Sequence, residues 1–271
     1  MRRGPRVLSR CWTACRLWMR LFTFVVGTVL FWGGMEIDFL VRRRTPRIDV
    51  INKWVSRWAK TMLCVFGIQV VARGPHADQG ELYPGRDARG VGRIFISNHQ
   101  SGVDIPVLLS VIAAHAISRH DLANWPLLGS GASRIGTLFV DRTSRRSGAA
   151  VLRQIAAALE AGEGVLMFPE GTSFPGDAVH EFKPGAFNAA HRSDAEIIPI
   201  GVAYGHSDAY FFKEPFMTHM KRVGSRRRLK VAVEIGGPLD SAEPSVEMKD
   251  HARARVAELA ELAKVRLATD A

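Results

Sequence analysis

A histidine and an aspartate stand five positions apart in SNHQSGVDIP, residues 97–106, directly after an apolar run. A neutral imidazole accepts a proton near neutral pH, and a carboxylate can hold its other nitrogen. His99 and Asp104 could therefore act as a general base and its orienting partner. The same spacing also fits an ordinary hydrogen bond at a strand end, and the chain has nine histidines. The pair gains weight only from what accompanies it.

Three further clusters stand in chain order. GTLFVDR ends in Arg142, FPEGTSFPG holds Glu170, Gly171 and Thr172, and EFKPGAF follows with Lys183. IIPIGVAY, which comes next, is almost wholly apolar. Taken singly, Asp141 with Arg142 could be a surface pair and Pro169–Thr172 a simple turn. No His, Cys or acidic cluster has ligand spacing, so no metal is expected.

These residues need elements to position them. GIQVVARG, RIFISN, GTLFVDR, GVLMFPE, EIIPIGVAYG and LKVAVEIGG are short and apolar, and Gly, Pro, Asn or Asp bound them, as strands require. Helical periodicity fills residues 107–116, 146–161 and 246–267 between and after them. Alternating strands and helices predict an α/β fold with a mixed, largely parallel sheet flanked by helices. The polar clusters fall at strand ends, where such sheets place their sites. HADQGELYPGRDARGVG reads as a surface excursion.

The N-terminus differs in kind. Residues 1–20 carry six arginines and no acid, and residues 21–35 carry no charge. Fifteen residues fall short of the roughly 20 that span a bilayer. A signal peptide has the same profile, but the basic region is long and no clean cleavage site follows. In DVINKWVSRWAKTMLCVFGI, Trp54, Trp58, Met62 and Val65 form a stripe interleaved with Lys53, Arg57 and Lys60. That stripe suits a lipid boundary, and equally a helix packed on a soluble core. We read residues 1–66 as basic membrane-anchoring helices, monotopic or re-entrant, and residues 67–271 as an α/β domain with a C-terminal helix.

The net charge of +11 calls for anionic partners. Nucleic acid is not expected, since the chain has only three tyrosines and no base-stacking strand. Anionic membrane lipids are the expected partner. KRVGSRRRLK, residues 221–230, is a candidate second contact with them, or a solvated loop. Three cysteines without CxxC spacing indicate a reducing compartment.

Together, NHQSGVD, GTLFVDR, FPEGTS and IPIGVAY resemble the four ordered blocks of the lysophosphatidic acid acyltransferase-like (glycerolipid and lysophospholipid) family. The connector DLANWPLLGSGASRIGTLFVDR resembles that family's run into the second block. The resemblance covers about residues 67–239. It implies transfer of a fatty acyl group from acyl-CoA or acyl-carrier protein, as co-substrate with no further cofactor, to a lysophospholipid acceptor. The expected acceptor is 1-acylglycerol-3-phosphate, giving phosphatidic acid at the cytoplasmic face of the inner or plasma membrane. His99 would be the general base and Asp104 its partner. Arg142 and Lys183 would grip an anionic acceptor, Gly171 and Thr172 would offer donors in a tight turn, and Glu170 would orient the acceptor or hold the loop. Ser101 beside His99 leaves a covalent acyl-serine route conceivable, with direct transfer preferred. Gly102 stands where the family usually has a bulky residue, and Ser173 where it often has arginine, so the head-group pocket is less certain than the reaction type. The alternatives are another acceptor, such as a lyso-ornithine lipid, or an inactive lipid-binding protein.

Overall fold

The computed structural model describes residues 4–125, 128–141, 145–239 and 245–269. Two helices lead: α1 (Gly4–Val41) and α2 (Arg47–Val65). The strands are β1 (Ile68–Arg73), β2 (Ile94–Ser97), β3 (His115–Arg119), β4 (Leu138–Val140), β5 (Val165–Met167), β6 (Ile197–Tyr204) and β7 (Leu229–Ile235). The remaining helices are α3 (Asp104–Leu109), α4 (Leu128–Arg134), α5 (Arg145–Glu160), α6 (Gly185–Ser193), α7 (Phe216–Ser225) and α8 (Ser245–Thr269).

All seven strands form one sheet in the order β1-β7-β6-β2-β5-β3-β4. Every pairing is parallel except β6 with β7. The mixed, largely parallel sheet and its flanking helices agree with the expectation. Helices cover both faces, so central strands must be apolar on both sides. All eight residues of β6 are buried, as are all four of β2. Pro199 is tolerated inside β6 because the β7 register begins only at Ile200↔Ile235.

One core layer joins Phe95, Leu108 and Val231 of the sheet side to Val50, Ile51, Val55 and Leu63 of α2. The other joins Ile94, Ile96 and Ile197 to Ile155, Phe187 and Val256 of α5, α6 and α8. The apolar face of α2 thus packs on the sheet. The expected surface excursion is also anchored: Tyr83 is buried, with its ring edge-on to Phe95 at 5.5 Å.

Two sequence expectations fail locally. Residues 107–116 do not form one helix, because α3 ends at Leu109 and residues from His115 form β3, a strand the sequence reading missed. VLLSVIAAHA holds no glycine or proline to mark the change, and its apolar residues carry no clear period to separate helix from buried strand. α1 also extends far beyond the uncharged fifteen residues. Its stretch Trp12–Val41 is long and apolar enough to cross a membrane by length and composition, and almost none of it is buried. Trp18 and Phe22 are 71% and 72% exposed.

α1 lies along the α/β domain rather than projecting from it. Around its middle, Arg20 donates to the Gly224 carbonyl at 2.9 Å, just inside the C-terminus of α7. Near its C-terminal end, Arg134 of α4 forms a two-pronged pair with Glu36, both contacts 2.6 Å.

Candidate active site

The order β6-β2-β5 in the sheet makes three of the four blocks neighbours. The main chain leaves β2 at Asn98, whose buried side chain continues the ladder in its place. Asn98 Nδ2 donates to the Val202 carbonyl and Oδ1 accepts the Val202 N–H, both at 2.9 Å. A side-chain amide that imitates a peptide group closes the β2–β6 ladder and frees the backbone to turn outward with His99.

His99 Nδ1 lies 2.7 Å from Asp104 Oδ2. The same oxygen accepts the N–H groups of Gln100 and Ser101 at 2.8 and 2.9 Å, and Oδ1 accepts the hydroxyl of Tyr204. A carboxylate that already accepts from three other donors is held as an acceptor, so the proton in the His99–Asp104 bond belongs to Nδ1, and Nε2 is the ring atom left to exchange a proton with a substrate. Asp104 is fully buried while the His99 side chain keeps 13% of its surface. Burial and the neighbouring Asp104 charge push the Tyr204 hydroxyl pKa well above its ordinary value, so it stays a donor.

The loop after β5 clasps His99. Glu170 Oε1 accepts the His99 N–H at 2.9 Å, and the His99 carbonyl accepts the Phe174 N–H at 2.9 Å. Phe168 stacks on the imidazole with centroids 4.2 Å apart and planes 18° apart. Glu170 is buried, and burial raises its pKa against the opposing pull of the His99 and His180 amides. Gly171 takes φ +76°, and an added Cβ would stand 2.5 Å from Lys183 Nζ. Only glycine fits both the left-handed backbone and the lysine lying across it. Lys183 is tied by its own N–H to the Pro169 carbonyl at 2.9 Å.

The structure therefore brings His99, Asp104 and Glu170 into one hydrogen-bonded cluster, with Gly171 and Lys183 against each other on its loop. Thr172 lies exposed on the same loop. Arg142 lies outside the described residues; β4, which precedes it, is the edge strand beyond β3. Sequence reasoning missed Tyr204, Phe168 and His219. Tyr204 had a signal, as the one polar tip closing an apolar strand. No group of three or more His, Cys, Asp or Glu among the described residues could hold a metal ion.

A cavity of about 180 Å³ opens where α1 and α2 meet the α/β domain. Ile105 and Pro106, the residues directly after Asp104, line it together with Phe31 and Trp32 of α1, Trp54 of α2 and Ile135 after α4.

This sheet, with a His–Asp pair at the end of its central strand, is matched by known lipid acyltransferases. The sequence pattern of the family described as Acyltransferase matches residues 84–203. The chain is 26% identical over 228 residues to a lyso-ornithine lipid O-acyltransferase of Pseudomonas aeruginosa, covering 80% of this chain and 83% of that one. It is 27% identical over 158 residues to a 1-acyl-sn-glycerol-3-phosphate acyltransferase of Neisseria gonorrhoeae, covering 56% and 62%. In fold it is similar to the crystal structure of the 1-acyl-sn-glycerophosphate acyltransferase PlsC of Thermotoga maritima. That match has a TM-score of 0.73 and 21% identity, and covers 94% of this chain and 98% of that chain. Residues 84–203 carry the acyltransferase pattern, the chain is similar to lysophosphatidic acid and lyso-ornithine lipid acyltransferases, and it is an acyltransferase.

Proposed function

We propose that the protein moves a fatty acyl group from acyl-CoA or acyl-carrier protein to the free hydroxyl of a lysophospholipid, with 1-acylglycerol-3-phosphate as acceptor and phosphatidic acid as product. The observation that carries this reading is the buried Asp104 holding a partly exposed His99 imidazole, with the two residues after Asp104 lining an apolar cavity. The cavity takes the acyl chain and its mouth presents the thioester carbonyl to His99.

His99 Nε2 accepts the proton of the acceptor hydroxyl as its oxygen attacks the thioester carbon. Asp104 stabilises the imidazolium that forms. The tetrahedral intermediate collapses with cleavage of the C–S bond. The leaving thiolate, of pKa about 8.5 for an ordinary thiol, needs little acid assistance and takes the proton back from His99. Lys183 and Arg142 grip the acceptor's phosphate, Arg142 as a planar fork. Gly171 and Thr172 add donors from the turn.

The exposed apolar face of α1 supports membrane association at the cytoplasmic surface. Because α1 is tied to the α/β domain at Arg20 and Glu36, this stretch of the helix lies in the lipid boundary with the cavity mouth beside it. Arg20, Lys60, Arg227 and Arg228 line a second cleft, of about 540 Å³ and without a carboxylate, suited to anionic lipid head groups.

A second reading, acylation of a lyso-ornithine lipid, is favoured by the long match to the Pseudomonas relative. Purified protein in mixed micelles with labelled acyl-CoA or acyl-carrier protein and both acceptors decides between them. Phosphatidic acid formation supports the first reading, acylation of only the aminolipid replaces it with the second, and transfer to neither overturns both.

A further inference from the structure

The connection between β6 and β7, residues 205–228, crosses the turn that follows His99. Its Phe211 N–H donates to the Gln100 carbonyl at 2.8 Å. From α7, the fully buried His219 accepts the Gly102 N–H at Nε2, at 3.1 Å, and stands 3.4 Å from Ser101 Oγ. An amide can only donate, so Nε2 is bare and the neutral ring carries its proton on Nδ1. Burial first, and then the Arg222 guanidinium, lower the His219 pKa to about 4, so the ring is neutral under ordinary conditions. Arg222 and Glu214 face Nδ1, and Asp104 is the further charge on its surroundings.

Gly102 admits this contact. A Cβ there would stand 2.8 Å from the Phe216 ring and 2.9 Å from His219 Cδ2. Three consecutive amides consequently have assigned acceptors: Gln100 and Ser101 point to Asp104, and Gly102 points to His219. At its far end α7 is gripped by α1. Arg16 donates to the Ser225 carbonyl, and Arg20 to the carbonyls of Gly224, Arg226 and Arg227.

We propose that His219 is a positioning residue that couples the apolar helix α1 to the turn holding His99 and Asp104. The chain of contact runs from Arg16 and Arg20 through α7 to His219, then through Gly102 to the amides that fix Asp104. Without an acceptor, the Gly102 N–H rotates to find one and draws the adjacent Ser101 N–H off Asp104. The role rests on the proposed base function of His99, so its test includes a readout that needs no turnover.

Full-length His219→Gln and His219→Leu are compared with wild type. Glutamine retains an acceptor at similar reach and keeps kcat near wild type. Leucine lowers kcat about ten- to a hundredfold with the donor KM unchanged. It also shifts the acidic limb of the kcat profile, and the downfield Nδ1 proton resonance of His99 moves or broadens. Arg20→Met lowers kcat in the wild-type background but adds little in the His219→Leu background, as coupled residues do. If His219→Leu does not fold, Gly102→Ala, which pushes Phe216 and His219 away, produces the same kcat loss. Wild-type kcat and an unmoved His99 resonance in the folded leucine or alanine variant overturn the proposal. So do equal losses in glutamine and leucine, or full additivity with Arg20→Met. Absence of transfer by wild type on every acceptor counts against the proposed function, and the resonance still decides the positioning role.

Discussion

Glu170 Oε1 accepts the backbone N–H of His99 at 2.9 Å, while Oε2 faces the His180 N–H at 3.3 Å. Two amides addressed by two oxygens need a carboxylate. Glutamine in place of Glu170 would offer one oxygen and set its NH₂ against the other amide. Glu170→Gln is expected to cost about 1–3 kcal/mol in chemical denaturation, the price of an unmatched buried donor. kcat falls because His99 moves with its backbone, and the donor KM stays. A variant as stable and as active as wild type would show that the clasp is dispensable.

His99→Ala is expected to lower kcat by about 10²–10⁴-fold, the range for loss of a general base, without loss of vesicle binding. Asp104→Asn retains an acceptor for Tyr204 but sets an amide against at least one donor, so it loses activity and also stability. Turnover at the wild-type rate by folded His99→Ala protein would remove histidine from the mechanism.

Acid should weaken the fold through His219. An unfolded histidine titrates near 6.5, and His219 in the fold titrates at about 4. Between these values the unfolded chain binds the extra proton. The His219 contribution is therefore complete above about pH 6.5 and is lost as the pH falls toward 4. The full swing is about 3 kcal/mol. Denaturation midpoints across this window, compared between wild type and His219→Leu, should show a shallower acid slope in the variant. Identical slopes would mean that another group carries the proton.

The exposed face of α1 can be tested without touching the core. Trp18→Ser, Phe22→Ser and Leu30→Ser remove side chains that are exposed in the structure. Each fully buried apolar side chain contributes about 1.5–3 kcal/mol. The triple variant should leave anionic vesicles in flotation while its melting temperature holds. Removing residues 1–65 is a poorer probe, because α2 supplies Val50, Ile51, Val55 and Leu63 to the core and the remainder should aggregate. Unchanged flotation of the triple variant would place membrane contact elsewhere.

Ala132 lines the same cavity as Ile105 and Pro106. Ala132→Phe should shift donor preference toward shorter chains, each methylene denied burial costing about 0.8 kcal/mol. Competition between donors of graded length measures the shift. An unchanged profile would put the acyl chain in another place.

The strands that the sequence revealed were those with sharp ends, such as RIFISN closing on Asn98 and LKVAVEIGG on its glycines. β3 escaped because residues 107–119 mix apolar residues with Ser110, His115, Ser118 and Arg119 and hold no glycine or proline to mark where α3 ends. The pairing of His99 with Asp104 was legible because its partners are five positions apart, within reach of one turn. Tyr204 and His219 act on that turn from about a hundred positions away, and no spacing rule reaches so far. His219 sits in FMTHMKRV, where a lone histidine on an apolar face looks like ordinary core. Its meaning depends on Gly102 leaving it room.

The sheet is completed by its two most distant strands, since β1 pairs only with β7. During synthesis α1, α2 and β1 emerge first, yet β1 has no partner until nearly the whole chain has left the ribosome. Pairings of such long range form slowly. The α1–α2 hairpin must wait with its apolar surface uncovered, and lipid is the solvent that suits it. If α1 meets a bilayer as proposed, insertion would precede closure of the sheet.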